Sequence, residues 1–238
     1  MRNYIILNGK NSTDISGLLI QSLAPITKPA LRTQVETIDG RDGDIVTSLG
    51  YAAYDKKISI GLYGDYDIDD VIEYFDSAGT VVFSNEPDKY YEYQILAQID
   101  FERLIRFRTA EVTLHVQPFK YSNDEAPKER AISGSTTSYT VVNSGNMPAK
   151  PTLTVYGTGT VNLSLNGTEI FVIDLGDSAN NITIDAEALE AYTGTPATLA
   201  NRSVDGNYDN LTLKVGTNVI SWTGSVTKIT IDKCSRWI

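Results

Sequence analysis

The sequence predicts a mainly β protein of two domains, an amino-terminal β-sheet domain with one α-helix and a carboxy-terminal β-sandwich or jelly roll. Three observations support this fold class. Short runs of alternating apolar and polar residues recur along the 238 residues, and glycine, asparagine or aspartate ends most of them. Only one segment has convincing apolar residues at helical spacing. A polar, proline-bearing stretch without period, residues 123–132, reads as a linker between the domains.

The first domain, residues 1–122, contains a turn signal followed by a strand. Residues 37–45, TIDGRDGDI, hold two Asp-Gly pairs. Glycine accepts positive φ and aspartate bonds its own backbone, so this stretch predicts a reversal between two strands and not a ligand loop. In the next run Ile58, Ile60 and Leu62 alternate with polar or small residues, which is typical of a half-buried strand.

The predicted helix lies in residues 67–79, DIDDVIEYFDSAG, and Gly79 stands just past its end. Its acidic start suits the unpaired N–H groups and the positive end of a helix dipole. A calcium loop counted from Asp65 would need glycine at its sixth position, where this chain has Asp70. We therefore interpret these carboxylates as caps. The helical spacing comes from Ile68, Val71, Ile72 and Phe75.

Two long segments close the first domain. A strand in residues 79–91 ends in a proline turn, and residues 90–104 and 105–119 then read as extended. We expect these two segments to pair as an antiparallel ribbon over residues 89–117. Long strands with exposed edges are a hazard in a monomer but are useful where subunits pair around a closed ring, so the ribbon is the predicted subunit contact.

The second domain, residues 133–238, is rich in threonine, asparagine and glycine. Its short alternating runs, each followed by a turn residue, predict a sandwich of antiparallel strands. GTGT at residues 157–160 has no lysine and no helix after it, so it predicts a hairpin turn and not a phosphate loop. The predicted strands are SYTVVN, PTLTVYG, TVNLSLNG, EIFVIDL, NNITIDA, NLTLKVG, NVISWTG and VTKITIDK.

Composition argues against several classes of function. The formal net charge of −10 and the lack of a basic stripe disfavour stable DNA binding. Cys234 is the single cysteine, which excludes an internal disulfide and multi-cysteine zinc sites. His115 is the single histidine and alternates with Leu114 and Val116, which indicates a strand histidine, not a general base. We expect no catalytic residues, no metal, no cofactor and no membrane association.

Two alternatives stay open at this point. Asp174, Asp185 and Asp205 would support glycoside hydrolysis if two of them faced each other across a groove. Tyr192, Tyr208 or Trp237 would support a carbohydrate-binding module for cell-wall glycans if their rings lined one surface.

A series of motifs spans essentially the whole chain. They are TQVETIDGRDGD, KKISIGLYG, the acidic helix, GTVVFSNEPDKYYEYQI, FERLIRFRTAEVTLHVQPFKY, NSGNMPAKPTLTVYGTGTVNLSLNG, DGNYDNLTLKVGTNVISWTGSVTKITI and the final SRWI. In this order they resemble the distal tail (Dit) proteins of long-tailed phages, or siphophages, that infect Gram-positive bacteria.

The resemblance implies a ring-forming first domain, a galectin-like or jelly-roll second domain and a hexamer located in the virion, at the distal end of the tail. Such a ring joins the tail tube protein to the tail-associated lysin or fibre protein and is the hub of the baseplate. The tape-measure protein is a further candidate partner. Residues 133–238 leave no room for the additional carbohydrate-binding module or docking arm that some relatives carry.

Six residues of the predicted ribbon are the candidate contacts with a neighbouring subunit or tail protein. Three are arginines, whose planar fork suits interfacial carboxylates. The alternative is that these arginines pair with acidic neighbours on the same sheet. The six are Tyr90, Tyr91, Arg103, Arg106, Arg108 and His115.

Overall fold

The structure is a computed structural model that describes residues 2–76, 78–123, 125–132, 136–178 and 180–238. The chain forms two compact units, residues 1–123 and residues 124–237. Part of the predicted linker belongs to the second unit, because Lys128–Ala131 is a strand that pairs there. None of the described helices is long and apolar enough to cross a membrane.

The first unit contains nine strands and two α-helices in its described residues. Seven strands form an antiparallel sheet in the order β2-β1-β7-β8-β9-β6-β3, while β4 and β5 form a separate two-stranded sheet. The elements are β1 (Ile5–Leu7), β2 (Lys10–Asn11), β3 (Leu18–Ser22), β4 (Leu31–Thr37), β5 (Asp44–Tyr51), β6 (Tyr54–Leu62), α1 (Ile68–Tyr74), β7 (Ala78–Phe83), β8 (Lys89–Gln94), α2 (Phe101–Phe107) and β9 (Thr109–Ser122).

The core of the first unit follows from the alternation along β6 and β9. Ile58 pairs with Val112 and Ile60 with Ala110, and these side chains are buried on one face of the sheet. Because successive side chains of a strand point to opposite faces, every second residue contributes to the core. The predicted strand at Ile58, Ile60 and Leu62 is present.

Helix α1 begins as the sequence predicts. The Asp67 carboxylate accepts a hydrogen bond from the Asp69 amide at 2.9 Å, which is the expected N-cap. The buried face differs from the prediction, because Tyr74 is buried and its hydroxyl donates to the Ile5 carbonyl, whereas Ile72 is 40% exposed. Gly79 lies inside β7 and does not cap the helix.

The prediction of a single helix was wrong, because residues 101–107 form helix α2. The Asp100 carboxylate caps it by accepting from the Arg103 amide at 2.8 Å, and Leu104 is buried beneath it. The long ribbon of residues 89–117 is therefore interrupted. What remains is the antiparallel pair β8 and β9, in which Tyr90 lies opposite Tyr121 and Gln94 opposite His115.

A buried lysine fastens the segment that leads from β3 to β4. The Lys56 side chain is 3% exposed, and its ammonium donates to the Pro25 carbonyl at 3.1 Å. The same ammonium lies over the rings of Tyr54 and Tyr91, 5.6 and 4.9 Å from their centroids. Burial lowers the pKa of Lys56, while the nearby Glu86 opposes that shift. The Asn85 side chain adds a second bond, to the Ala24 carbonyl.

The second unit is built from antiparallel strands that share two long members. Strand β12 pairs with β14 along residues 152–157 and with β13 along residues 160–165, and β18 lies beside both halves. The strands are β10 (Lys128–Ala131), β11 (Ser138–Asn143), β12 (Thr152–Leu165), β13 (Thr168–Asp174), β14 (Asn180–Asp185), β15 (Glu190–Thr193), β16 (Thr198–Leu199), β17 (Val204–Gly206), β18 (Gly216–Asp232) and β19 (Arg236–Trp237).

Because β12 pairs with β14 along its first half and with β13 along its second, this unit divides into two facing layers. Leu153 and Ile184 from one half and Leu163 and Phe171 from the other belong to one buried cluster, as expected for a sandwich. Trp222 of β18 is 4% exposed within the same core, as its place in an alternating run predicts.

Two local predictions in the second unit were wrong. Residues 157–160 do not form a hairpin turn but lie within β12, where its register with β18 shifts. The bend is tight on the β18 side, because Gly224 has φ +96° and a Cβ there would collide with the Thr160 carbonyl oxygen. The run NLTLKVG, residues 210–216, forms no strand of its own: Leu213 makes an isolated bridge to Ala149, and Gly216 begins β18.

Candidate assembly surfaces

The β4–β5 hairpin, Leu31–Tyr51, is exposed along nearly its whole length. Every residue of 30–50 is exposed except the half-buried Ile45. Val35 and Val46 lie directly opposite each other across the two strands and are 54% and 61% exposed. This element lacks the apolar cover that the other strands of its unit have. A two-stranded hairpin without such cover is at best marginally stable in water.

The hairpin turns where the two Asp-Gly pairs stand, as predicted. Thr37 pairs with Asp44 at the end of the ladder, and Gly40 and Gly43 have φ +83° and +78°. At the other end, the Ala52 amide donates to the Ala30 carbonyl at 2.8 Å. Seven residues of extended strand span about 20 Å, so the hairpin tip, residues 36–44, lies that far from this base.

Helix α2 presents the predicted arginines on an exposed surface. The Arg106 guanidinium bonds the Glu102 carboxylate at 2.7 Å, one helical turn away, so this residue has an acidic partner on its own helix and not on a sheet. Arg108 ends the helix with φ +58° and lies 4.8 Å from the centroid of the Tyr66 ring. Arg103 is exposed. All three arginines lie on or at the end of a helix and not on a ribbon.

A hollow of about 500 Å³ lies on the outer side of α2. Phe107 is 69% exposed there, which is unusual for a phenylalanine, and guanidinium groups stand beside it. The hollow therefore combines an apolar ring with two guanidinium groups and two carboxylates. We call it the α2 hollow; its lining residues are Asp100, Glu102, Arg103, Arg106 and Phe107.

Tyr91 is not available to a partner, so its prediction as a contact residue was wrong. The side chain is 1% exposed and packs edge-on against the Phe83 ring. Its hydroxyl donates to the Glu86 carboxylate at 2.7 Å, and burial together with this bond raises the pKa of Tyr91. Tyr91 holds the sheet together from inside.

Tyr90 and His115 remain half-exposed on the sheet. The Tyr90 ring stacks on Tyr121, with centroids 5.4 Å apart. His115 Nδ1 lies 2.8 Å from a carboxylate oxygen of Asp55, its neighbour across the β6–β9 ladder. Both residues thus have partners within the chain, and their part in a subunit contact stays a prediction.

Two of the three carboxylates considered for glycoside hydrolysis accept hydrogen bonds from backbone amides two or three residues away. Asp185 accepts from the amides of Glu187 and Ala188, both at 2.9 Å, and Asp174 accepts from Gly176 at 3.0 Å. Asp205 lies in β17, paired with Val172. In the described part of the chain no group of three or more histidine, cysteine or acidic residues is arranged to hold a metal ion.

The aromatic residues considered for glycan binding are half-buried. Tyr208 packs edge-on against Phe171, with centroids 5.4 Å apart, and its hydroxyl donates to the Asn201 side chain. Burial raises the pKa of Tyr192, and the carboxylates of Asp185 and Glu190 add to that effect. Trp237 is also half-buried. These contacts fix the Tyr208 ring from one side and leave glycan binding a prediction.

Comparison with known proteins gives likenesses of fold. No protein-family model matches the sequence, and no curated protein matches it. Among solved structures, the Dit protein of phage SPP1, described as a paradigm of hub adsorption apparatus in phages that infect Gram-positive bacteria, superposes with a TM-score of 0.64. The two chains are 19% identical over 98% of this chain and 99% of that one.

A chain of the phage P2 baseplate in its activated conformation with Ca has a TM-score of 0.51 and 11% identity, over 97% of this chain and 98% of that one. At such identities the comparisons establish a shared fold over nearly the full length. They confirm the mainly β fold class and the resemblance to distal tail proteins that the ordered motifs indicate.

The hairpin is the surface that sequence reasoning missed, although it located the turn. A signal was present in the strands beside that turn. Strand β4 has apolar residues only at Leu31 and Val35, so neither of its faces is continuously apolar. A strand without a continuously apolar face contributes little to a core, and this pattern indicates a projecting hairpin.

Proposed function

We propose that this protein is a structural component of a phage tail tip, a hexameric ring that joins the tail tube to the tail-associated lysin or fibre protein and acts as the baseplate hub. The observation that carries the proposal is the likeness in fold to the SPP1 Dit protein across 98% of the chain. The role is structural and needs neither a catalytic site nor a cofactor.

The surface of the first unit supports a role in assembly. The exposed β4–β5 hairpin and the exposed Phe107 on α2 are apolar features that a solitary protein rarely displays together. Exposed apolar side chains of this kind are stabilised when another protein buries them. The first unit is therefore the part of the chain that we expect to form the ring.

The charge of the protein suits a channel for DNA. Each chain carries a formal net charge of −10, so six copies carry roughly sixty negative charges. A ring of that charge repels phosphate and lets DNA pass without holding it. The same argument predicts that the purified protein does not bind DNA at physiological salt.

The test is the size and shape of the purified assembly and its place in the particle. Sedimentation velocity is expected to give a species of six times the 26.1 kDa chain, and negative-stain images are expected to show rings. Gold-labelled antibody against the protein is expected to mark the tail tip of the intact phage. A monomer at high micromolar concentration together with unlabelled tail tips would overturn the proposal.

A further inference from the structure

Five positions of the chain place aspartate or asparagine directly before glycine, namely Asn8, Asp39, Asp42, Asn166 and Asp205. At such pairs the glycine amide nitrogen can attack the side-chain carbonyl carbon of the preceding residue, because glycine has no Cβ to obstruct the approach. The product is a five-membered succinimide ring. The structure restrains three of the five positions and leaves two unrestrained, both at the hairpin tip.

Both asparagines are fixed at their turns by the two polar atoms of the side-chain amide. Asn8 Nδ2 donates to the Ala78 carbonyl at 3.1 Å, and Asn8 Oδ1 accepts from the Thr80 amide at 2.9 Å. Asn166 Nδ2 donates to a side-chain oxygen of β18 at 3.0 Å, and its Oδ1 accepts from the Val219 amide at 2.9 Å. Attack by the following glycine therefore requires two hydrogen bonds to break first.

Asp205 is restrained by strand pairing. It lies in β17 opposite Val172, and Gly206 lies opposite Phe171 in the same ladder. The backbone of a paired strand reaches the cyclic conformation only after the pairing opens locally. Succinimide formation at Asp205 is therefore expected to be slow in the folded protein.

The two aspartates of the hairpin tip have no such restraint. Asp39 and Asp42 are exposed, and within the described residues neither carboxylate has a hydrogen-bond or ion-pair partner. The glycines that follow them, Gly40 and Gly43, lie in the turn outside the strand ladder, with φ +83° and +78°. Rotation of either carboxyl group towards the next amide breaks no side-chain contact of the fold.

We propose that Asp39 and Asp42 are sites of spontaneous isomerisation to isoaspartate, whereas the two asparagines before glycine stay intact in the folded protein. In the first step the glycine nitrogen bonds to Cγ of the protonated carboxyl group, whose hydroxyl leaves as water with the amide proton. In the second step water opens the ring at the backbone carbonyl. The chain then continues through Cγ, and the former backbone carbonyl carbon becomes the free carboxylate. Both steps are redox-neutral.

The fold thereby reverses the order of reactivity that the sequence alone suggests. In an unfolded chain asparagine before glycine cyclises faster than aspartate, because an amide loses ammonia more readily than an ionised carboxylate loses water. Here the two hydrogen bonds at each asparagine are expected to slow its cyclisation roughly tenfold or more, whereas the tip aspartates react much as in an unfolded chain.

The two kinds of modification differ in charge. Isoaspartate keeps one carboxylate, so isomerisation at the tip leaves the formal net charge at −10 while it adds one carbon to the backbone of the turn. Loss of ammonia from Asn8 or Asn166 would instead add one negative charge. Ageing of this protein is therefore expected to be invisible to methods that separate by charge.

The test is to age the purified monomer at neutral pH and body temperature over several weeks. Peptide mapping with electron-transfer fragmentation, which distinguishes isoaspartate from aspartate, is expected to find isoaspartate at Asp39 and Asp42. Isoelectric focusing is expected to show no new acidic species. Absence of isoaspartate at a tip position would overturn the assignment of that position, and acidic species that map to Asn8 or Asn166 would overturn the proposed protection.

Two controls connect the result to the structure. Asp39→Glu with Asp42→Glu keeps both charges but would require a less favourable six-membered ring, so this variant is expected to stay unmodified at the tip. In urea, where the hydrogen bonds of Asn8 and Asn166 are lost, both asparagines are expected to lose ammonia faster than the tip aspartates isomerise. Equal deamidation rates in the folded and unfolded protein would show that these bonds give no protection.

The measurement is made on single chains, so its outcome is independent of the proposed hexameric ring. A protein that forms no rings would leave the isomerisation result unchanged, and an unmodified tip would leave the ring proposal unchanged.

Discussion

Two antiparallel strand pairs of the first unit, β4–β5 and β6–β9, have similar length and opposite surroundings. Residues of β6 and β9 bury one face in the core, with Ile60 and Leu114 fully buried, whereas β4–β5 exposes both faces. A turn joins β4 to β5, whereas residues 63–108 separate β6 from β9. A continuous apolar face decides which pair belongs to the core and which one projects from it.

Hydrogen exchange gives the largest expected contrast between the two pairs. In the monomer, amides of β6 and β9 open only with much of the unit and are expected to exchange roughly 10³-fold or more slowly than those of β4–β5. Mass spectrometry of the separated monomer measures this. In the ring, the hairpin amides are expected to become protected. Equal protection of both pairs in the monomer would contradict the comparison.

The second largest expected effect is the loss of unfolding free energy when a cavity is made in the sheet. Leu114→Ala removes fully buried methyl groups, so the free energy of unfolding is expected to fall by about 2–5 kcal/mol. The matched hairpin variant, Val35→Ala, acts on a side chain that is 54% exposed and is expected to change it by less than about 0.5 kcal/mol. Urea unfolding of the monomer measures both. Similar losses for the two variants would mean that the hairpin is packed.

Glu125 shows how a segment outside the core is fastened, in contrast to the hairpin. It pairs with Lys233 and accepts from the Ser235 amide at 2.9 Å. Burial opposes its ionisation, but these bonds outweigh burial and lower its pKa. Glu125→Gln is expected to cost roughly 1–3 kcal/mol at pH 7.

The sign of the pH dependence follows from that lowered pKa. The stabilisation by Glu125 is complete above its unfolded pKa of about 4.3 and is lost as the pH falls through the lower folded value. The difference between wild type and Glu125→Gln is therefore expected to shrink below about pH 4 in chemical unfolding. A difference that stays constant down to pH 3 would exclude this cause.

The smallest effect concerns α2. The Arg106–Glu102 pair is exposed by 69% and 71%, so Arg106→Gln is expected to change the free energy of unfolding by no more than about 0.5 kcal/mol. The same variant is expected to slow ring formation, because Arg106 is one of the predicted contact residues. Thermal unfolding and light scattering measure the two properties. A large stability loss with normal assembly would assign Arg106 to the fold.

Much of the fold could be predicted from local patterns. The Asp-Gly turn, the Asp67 cap and the alternation of Ile58 and Ile60 were predicted correctly, because each depends on neighbours in sequence or on a face set by period. The turn predicted at residues 157–160 was wrong for a physical reason. Glycines there permit a bend, but pairing with β18 on both sides of the bend keeps β12 a single strand.

The candidate site was less predictable. Tyr91 and Tyr90 are adjacent in sequence, yet one is buried and the other half-exposed, since alternation gives opposite faces without saying which face is covered. Helix α2 is as long as α1 but was missed, because its apolar residues stand within a long segment that was interpreted as extended. The hollow beside it depends on where the chain folds back, which no local pattern encodes.

Lys56 has a mechanical consequence for the hairpin. Tension on the tip passes down two strands to the Ala30–Ala52 hydrogen bond, and then through residues 25–30 to the Pro25 carbonyl held by the buried ammonium. Breaking this hydrogen bond requires the Lys56 ammonium to move past the rings of Tyr54 and Tyr91, which lie over it. The hairpin thus has few contacts along its length and is held firmly at its base.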